Sequence, residues 1–211
     1  MKVEIWSDVM CPFCYIGKRR FEEALQQFPG KEYVTVEWKS FQLNPDMETD
    51  PSKNINQYLA EHKGISIEQA TQMNNRVTEM AREVGLTYDF DKAVVANSFD
   101  AHRVSHFAKT HGRQDAMEER LFKAYFTEGK NTADHETLVQ LAVDAGLDAE
   151  TTRSMLAGTD YAEAVEKDIY EAQQVGARGV PFFVFDHKYA VSGAQPSSLF
   201  LQVLNKVAEE Q

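Results

Sequence analysis

Cys11 and Cys14 are the whole thiol complement of this 211-residue chain, three apart in the stretch SDVMCPFCYIGKRRF. A thiol attacks only as the thiolate, and a free cysteine with a pKa of about 8.5 is mostly protonated at neutral pH. A helix N-terminus offers unpaired N–H donors and a partial positive charge, both of which stabilise the anion. Pro12, directly after Cys11, marks the first turn of such a helix, where its missing N–H costs nothing. Cys11 is therefore placed for thiolate stabilisation, and Cys14, a turn further in, is expected to be the less exposed. That asymmetry divides the labour: Cys11 attacks a partner disulfide and Cys14 resolves the mixed disulfide.

The residues between the cysteines tune this chemistry. Pro12 and Phe13 place no side-chain donor or charge beside Cys11, so stabilisation rests on the backbone and the helix dipole, with Lys18 or Arg19 acting at longer range. Cys11 is thus expected to be less acidic than in strongly oxidising enzymes. Two other readings compete. A C-x-x-C supplies half of a zinc site, with His102 and His106, at i and i+4, as the other half. Their distance along the chain is far outside finger-like spacing, they are expected to be surface or capping groups, and no metal is expected. Two inert buried cysteines would leave Pro12 and the strand–helix junction without a reason.

Pro181 is the second chemical signal. It opens a strand directly after Val180, where a proline removes a ladder donor. Sequence alone favours a trans bond, and the company of C-x-x-C argues for cis. A cis bond would turn the backbone and leave the Val180 amide and carbonyl free to pair with an extended peptide.

Positioning such a site takes a strand, a helix and a returning strand. Lys2–Trp6 alternates charged and apolar residues, with Val3 and Ile5 on one face, as a half-buried strand does. A helix is predicted from Pro12 to Phe28, stopped by Pro29-Gly30, and YVTVEWKSF gives a second strand through Val34, Val36 and Trp38. From 44 to 159 no strand signal survives and helices dominate. Ser66 and Gln69 stand at capping-box spacing ahead of a stripe of Ala70, Met73, Val77, Met80/Ala81 and Val84, closed by Gly85. NSFDAHRVSHFAKTHG, DAMEERLFKAYFTEG and DHETLVQLAVDAG also end at glycine, and Asp148 and Thr159 read as further N-caps. The Met and aromatic stripes read as core. After the block, GVPFFVF is a buried strand and KYAVSG its partner, joined at Asp186-His187, although a two-residue turn asks positive φ of both. PSSLFLQVLNKVAEEQ closes the chain as an amphipathic helix. The sum is a small mixed sheet flanked by helices and interrupted by a helical block.

Bulk properties exclude some partners. A net charge of −11, with no basic cluster larger than GKRR, argues against nucleic acid and anionic lipid. No window approaches the ~18 apolar residues of a membrane span. MKVEIWSDVM lacks a signal-peptide core, so the chain reads as cytoplasmic. Thiols are kept reduced there, and a structural disulfide is not expected. A Cys11–Cys14 bridge would also close too small a loop to constrain the unfolded chain much.

CPFC after the first strand and GVPFFVF before the last two resemble the thioredoxin fold, and the helical block between them resembles the arrangement of the DsbA family. More narrowly, SDVMCPFCYIGKRRF, FQLNPDM, NSFDAHRVSHFA and GVPFFVFDHKYAVSGAQP resemble the FrnE-like branch, grouped with 2-hydroxychromene-2-carboxylate isomerases and kappa-class glutathione transferases. The resemblance implies an α/β class: a thioredoxin-like fold, 1–43 and 160–211, interrupted by an all-helical insertion, 44–159. It implies Cys11 as nucleophile, Cys14 as resolving thiol, and Pro181, with Val180, as the cis-proline that shapes the substrate groove. Members of this branch often carry Trp where Phe13 stands, and periplasmic relatives carry His, whose absence argues against a strong oxidant. Isomerase and transferase relatives have Ser at the first position, so retention of both cysteines favours redox chemistry. The function implied is a thiol–disulfide oxidoreductase of the protein disulfide reductase or isomerase type, acting on disulfide-containing proteins or small thiols. No cofactor is implied beyond the cysteine pair, with glutathione a candidate co-substrate. A glutathione-dependent isomerase or transferase acting on a small aromatic is the alternative, and a redox-sensing module a third reading. Asn97, His102 and Arg103 either line the groove, where Arg suits a carboxylate, or cap helices and tie down the insertion.

Overall fold

Lys2–Ser7 forms the first strand, β1, and it is covered on both faces: Glu4 and Trp6 are as buried as Val3 and Ile5. The expected half-burial fails because the computed structural model, which describes residues 1–210, makes β1 an inner strand of a four-stranded sheet. Helix α1 (Pro12–Gln27) follows, then β2 (Thr35–Ser40), parallel to β1 with Ser7 opposite Ser40.

A separate unit spans Asn44–Val165. It holds β3 (Asp50–Asn54), α2 (Ile55–Lys63), α3 (Ile67–Glu83), β4 (Val94–Val95), α4 (Phe99–Thr110), α5 (Gln114–Phe126), α6 (His135–Asp144) and α7 (Ala149–Ala157). The block is therefore not purely helical, since β3 and β4 pair antiparallel through an irregular register. DPSKN is depleted in strand formers and Val94–Val95 is too short to show alternation, so neither announces itself. Ser66 and Gln69 do form a capping box, and the Asp148 side chain accepts from Thr151 N–H. The α3 stripe differs: Met73 is 42% exposed, while Asn74 is buried and donates to Asn56 at 2.7 Å. Met117, Leu121, Phe122, Tyr125 and Phe126 of α5 lie in the core. Helix α8 (Ala162–Gln174) crosses out of this unit after Val165. Tyr161, at φ 65°, precedes it, so Thr159 contributes its carbonyl to Ala162 N–H instead of capping the helix.

The first unit, Met1–Leu43 and Glu166–Gln211, resumes within α8 and continues with β5 (Phe182–Phe185), antiparallel to β1, and β6 (Tyr189–Ser192), antiparallel to β5. The sheet order is β2-β1-β5-β6, closed by α9 (Ser197–Glu209). Asp186 and His187 take φ 46° and 54° in the hairpin turn, and Lys188 N–H closes it onto Phe185 O at 2.9 Å. Asp tolerates this region, and here its carboxylate and N–H both bond Lys2 of the neighbouring strand. One sheet face packs against α1 and α9, where Phe21 meets Phe183, Phe185 and Phe200 with ring centroids 5.6–6.2 Å apart. The other packs against α8, with Trp6, Phe182 and Val184 around Ala172.

Candidate active site

Cys11 is the N-cap residue of α1, at φ −87° and ψ 110°, and Pro12 opens the first turn. Its N–H bonds Asp8 O at 2.9 Å and its carbonyl accepts from Cys14 N–H at 3.0 Å, so the loop leaving β1 hands the chain directly into the helix. Cys11 and Cys14 are 3.5 Å apart and both are free thiols. A two-electron pair at this separation needs only a small movement to close a bond.

One sequence expectation is met and one is corrected here. Cys14 is the less exposed of the pair, at 1% against 3% for Cys11, but both are buried, and the exposed residue of the motif is Phe13, at 38%. The Cys11 sulfur also makes no capping hydrogen bond; its thiol donates to Val180 O at 3.4 Å. A protonated sulfur is a donor and turns to an acceptor, whereas the first-turn amides serve the anion. The Val180 carbonyl is thus engaged in the dithiol form, contrary to the expectation that it stands free.

Val180–Pro181 is cis. Pro181 is buried, and its carbonyl accepts from Gly193 N–H at 2.8 Å. Gly17, inside α1, lets the helix approach this segment: a Cβ there would lie 3.0 Å from the Pro181 ring. Sequence reading missed Gly17, because a mid-helix glycine declares its purpose only when its neighbour is known.

The electrostatics separate the two sulfurs. Burial pushes the Cys14 thiol well above the usual cysteine range, and the adjacent Cys11 adds to this, while the Ser7 hydroxyl and Asp8 N–H oppose it. The proton on Cys14 is therefore firmly held. The basic side chains of α1 serve other partners: Lys18 and Arg19 pair with Glu22, Arg19 also bonds Tyr15 Oη at 3.2 Å, and Arg20 holds Ala194 O at 2.6 Å.

The remaining candidates lie in the 44–165 unit. Asn97, just ahead of α4, accepts from Phe99 N–H, and it donates to Pro45 O and Met47 O. Arg103 is buried and donates to Met155 O, Gly158 O and Asp160 O, besides pairing with Asp100. These bonds use the guanidinium for chain anchoring and leave none for a carboxylate ligand's fork. His102 and His106 are buried, not surface groups, and face Glu118. Burial raises the Glu118 pKa, with His102 and the Ser105 hydroxyl opposing it. Among the described residues no group of three or more His, Cys, Asp or Glu gathers as a metal holder, and no helix is long and apolar enough to cross a membrane.

The DSBA-like thioredoxin domain family matches residues 2–205. The chain belongs to that family. DsbA-like proteins of this kind are thiol–disulfide oxidoreductases, and so is this chain. It is similar to a probable DsbA oxidoreductase, SCO1869 of Streptomyces coelicolor, at 43% identity and a TM-score of 0.95, covering 100% of this chain and 91% of that one. The protein YwbO of Bacillus subtilis (strain 168) is 29% identical over 96% of this chain and 95% of its own length. Two more distant structures share the DsbA-like fold. A cytosolic disulfide reductase, DsbM of Pseudomonas aeruginosa, has 16% identity and a TM-score of 0.70, with both chains covered completely. A 2-hydroxychromene-2-carboxylate isomerase has 14% identity and a TM-score of 0.72, covering 100% of this chain and 97% of that one.

Proposed function

We propose that the Cys11–Cys14 pair is the redox centre and that the enzyme works as a disulfide reductase or isomerase on disulfide-bearing proteins or small thiols. The Cys11 thiolate attacks one sulfur of a substrate disulfide; a Cys11–substrate bond forms, and the other substrate sulfur leaves as thiolate. Cys14 then attacks Cys11, forming the internal disulfide and expelling the second substrate thiolate. The substrate gains two electrons and the pair loses two. What carries the reading is the free pair 3.5 Å apart at a helix N-cap, with its first sulfur against the Val180 carbonyl. When Cys11 deprotonates, that carbonyl loses its donor and becomes an acceptor for a substrate N–H. We place the activity in the cytoplasm, where glutathione, the candidate co-substrate, would return the pair to the dithiol. Pro12 and Phe13 add no charge to the thiolate, which suits a reductant better than a strong oxidant.

Insulin reduction with glutathione as electron source tests this. Cys11→Ser should abolish catalysis, and Cys14→Ser should accumulate mixed disulfides on Cys11. Undiminished turnover by the Cys11 variant would end the reading.

A further inference from the structure

The resolving step contains a difficulty that the cysteines alone do not remove. Cys14 must shed its proton and become anionic while 1% exposed, and burial opposes that charge. Something inside the fold has to receive the anion.

Ser7 is the last residue of β1, on the face that packs against α1 and α9, and is 2% exposed. Its main-chain carbonyl is used by Phe41 N–H at 2.9 Å, which fixes the residue at the strand end. Its hydroxyl oxygen is fully enclosed and has no hydrogen-bond partner in the dithiol form. A buried hydroxyl left in this state costs about 1–3 kcal/mol, so its retention in a packed strand asks for a purpose. The Cys14 sulfur lies beside it, within reach of both this hydroxyl and the Asp8 N–H. Asp8 is held rigidly in turn: its carboxylate accepts from Leu43 N–H at 2.7 Å and its carbonyl from Cys11 N–H.

We propose that the Ser7 hydroxyl and the Asp8 main-chain N–H form a donor pair that receives the Cys14 sulfur as it becomes an anion. The inference rests on the redox reading above and adds residues to it. In the mixed disulfide, Cys14 first yields its proton to solvent, and the Cys14 thiolate then attacks the Cys11 sulfur. The Cys14–Cys11 bond forms, the Cys11–substrate bond breaks, and the substrate leaves as thiolate. Ser7 donates without giving up its proton, so it neither gains nor loses charge. The open hydroxyl finds its partner only while Cys14 is negative, and the stabilisation is felt in the resolving step.

Single-turnover mixing of the reduced protein with oxidised glutathione, acid-quenched and read by mass spectrometry, separates the two steps. The glutathionylated intermediate reports attack by Cys11, and the internal disulfide reports resolution by Cys14. Ser7→Ala should slow resolution relative to attack about tenfold, the worth of one hydrogen bond to a charged group. The pH at which resolution accelerates should rise by about one unit with it. Ser7→Thr, which keeps the hydroxyl, should restore both. Should the Ala variant fail to fold, Ser7→Gly removes the same group. Resolution at the wild-type ratio and pH in the Ala or Gly variant overturns the assignment of Ser7 alone. Absence of any glutathione adduct on Cys11 overturns the redox reading and this inference together.

Discussion

The two faces of the four-stranded sheet bury polar groups in opposite ways. Under α8, Lys39 meets Asp168 and Glu171 at 3.0 Å each and Glu37 at 3.4 Å. The second Asp168 carboxylate oxygen accepts from Ser40 N–H at 2.9 Å, and its carbonyl accepts from the Trp6 indole N–H. Burial alone would lower the Lys39 pKa, but the Asp168 charge and Glu171 outweigh it and hold the amine above its ordinary range. Under α1 the arrangement is the reverse: the Ser7 hydroxyl is enclosed without a partner, beside a thiol that burial keeps neutral. Saturated buried groups serve as fixed support, since every change of charge there would break several bonds at once. An open donor next to a sulfur suits a place where charge comes and goes during a reaction.

Asp168→Ala attacks the saturated face and has the largest expected effect. It takes from Lys39, whose side chain is 10% exposed, one of its two nearest carboxylates and strips Ser40 N–H of its acceptor. Loss of one partner from a buried ion pair costs about 3–5 kcal/mol, so the urea midpoint should fall by that equivalent. Thiol exchange per folded molecule should stay unchanged. A cost below about 1 kcal/mol, the worth of a surface pair, would mean that the network is not support, and the contrast between the faces would fail.

How much of this was legible in the sequence depends on how local each signal is. Pro12 at the start of α1, the Ser66–Gln69 capping box and the Asp186–His187 turn read true because each is decided by a few consecutive residues. The place of the cysteine pair at the start of α1 read true for the same reason. Ser7 and Gly17 were invisible, as a serine ending a strand and a glycine inside a helix have no meaning until Cys14 and Pro181 pack against them. The burial of Cys11, His102 and His106 went unread likewise, since periodicity assigns a face but not what covers it. Exchange of Met73 for Asn74 in the α3 core follows from the side-chain bond to Asn56, which no hydropathy pattern encodes.

The open face carries a pH signature of intermediate size. Cys14 is held protonated above the usual cysteine range in the folded protein. Its folded pKa exceeds its unfolded value of about 8.5, so the folded state binds the proton more tightly. The associated stability is complete below that unfolded value and is lost as pH rises beyond it toward the folded pKa. The slope reaches at most about 1.4 kcal/mol per pH unit for one proton. Urea unfolding of the reduced protein between pH 8 and 10 should show this extra decline relative to Cys14→Ala. Equal slopes in the two proteins would mean that the thiol is not held by its surroundings, and the open face would lose its distinction.

Gly17→Ala sharpens the comparison with the smallest expected change in stability. Alanine in a helix interior gains about 1 kcal/mol over glycine. Its Cβ would stand 3.0 Å from Pro181 Cγ, 3.5 Å from Phe183 Cζ and 3.6 Å from Ala194 Cα, and such overpacking costs about 1–3 kcal/mol. The two terms nearly cancel, so the unfolding midpoint should move by the equivalent of about 1 kcal/mol or less. The site cannot be indifferent in the same way. Pro181 is tied to Gly193 through its carbonyl, so the proline ring yields only by shifting the Val180–Pro181 segment, whose Val180 carbonyl receives the Cys11 thiol. Attack by Cys11 on oxidised glutathione should therefore slow several-fold in a variant that is nearly as stable as the parent. A wild-type attack rate at unchanged stability would show that the Pro181 ring gives way freely, and that close packing of α1 on this segment does not set the position of the first sulfur.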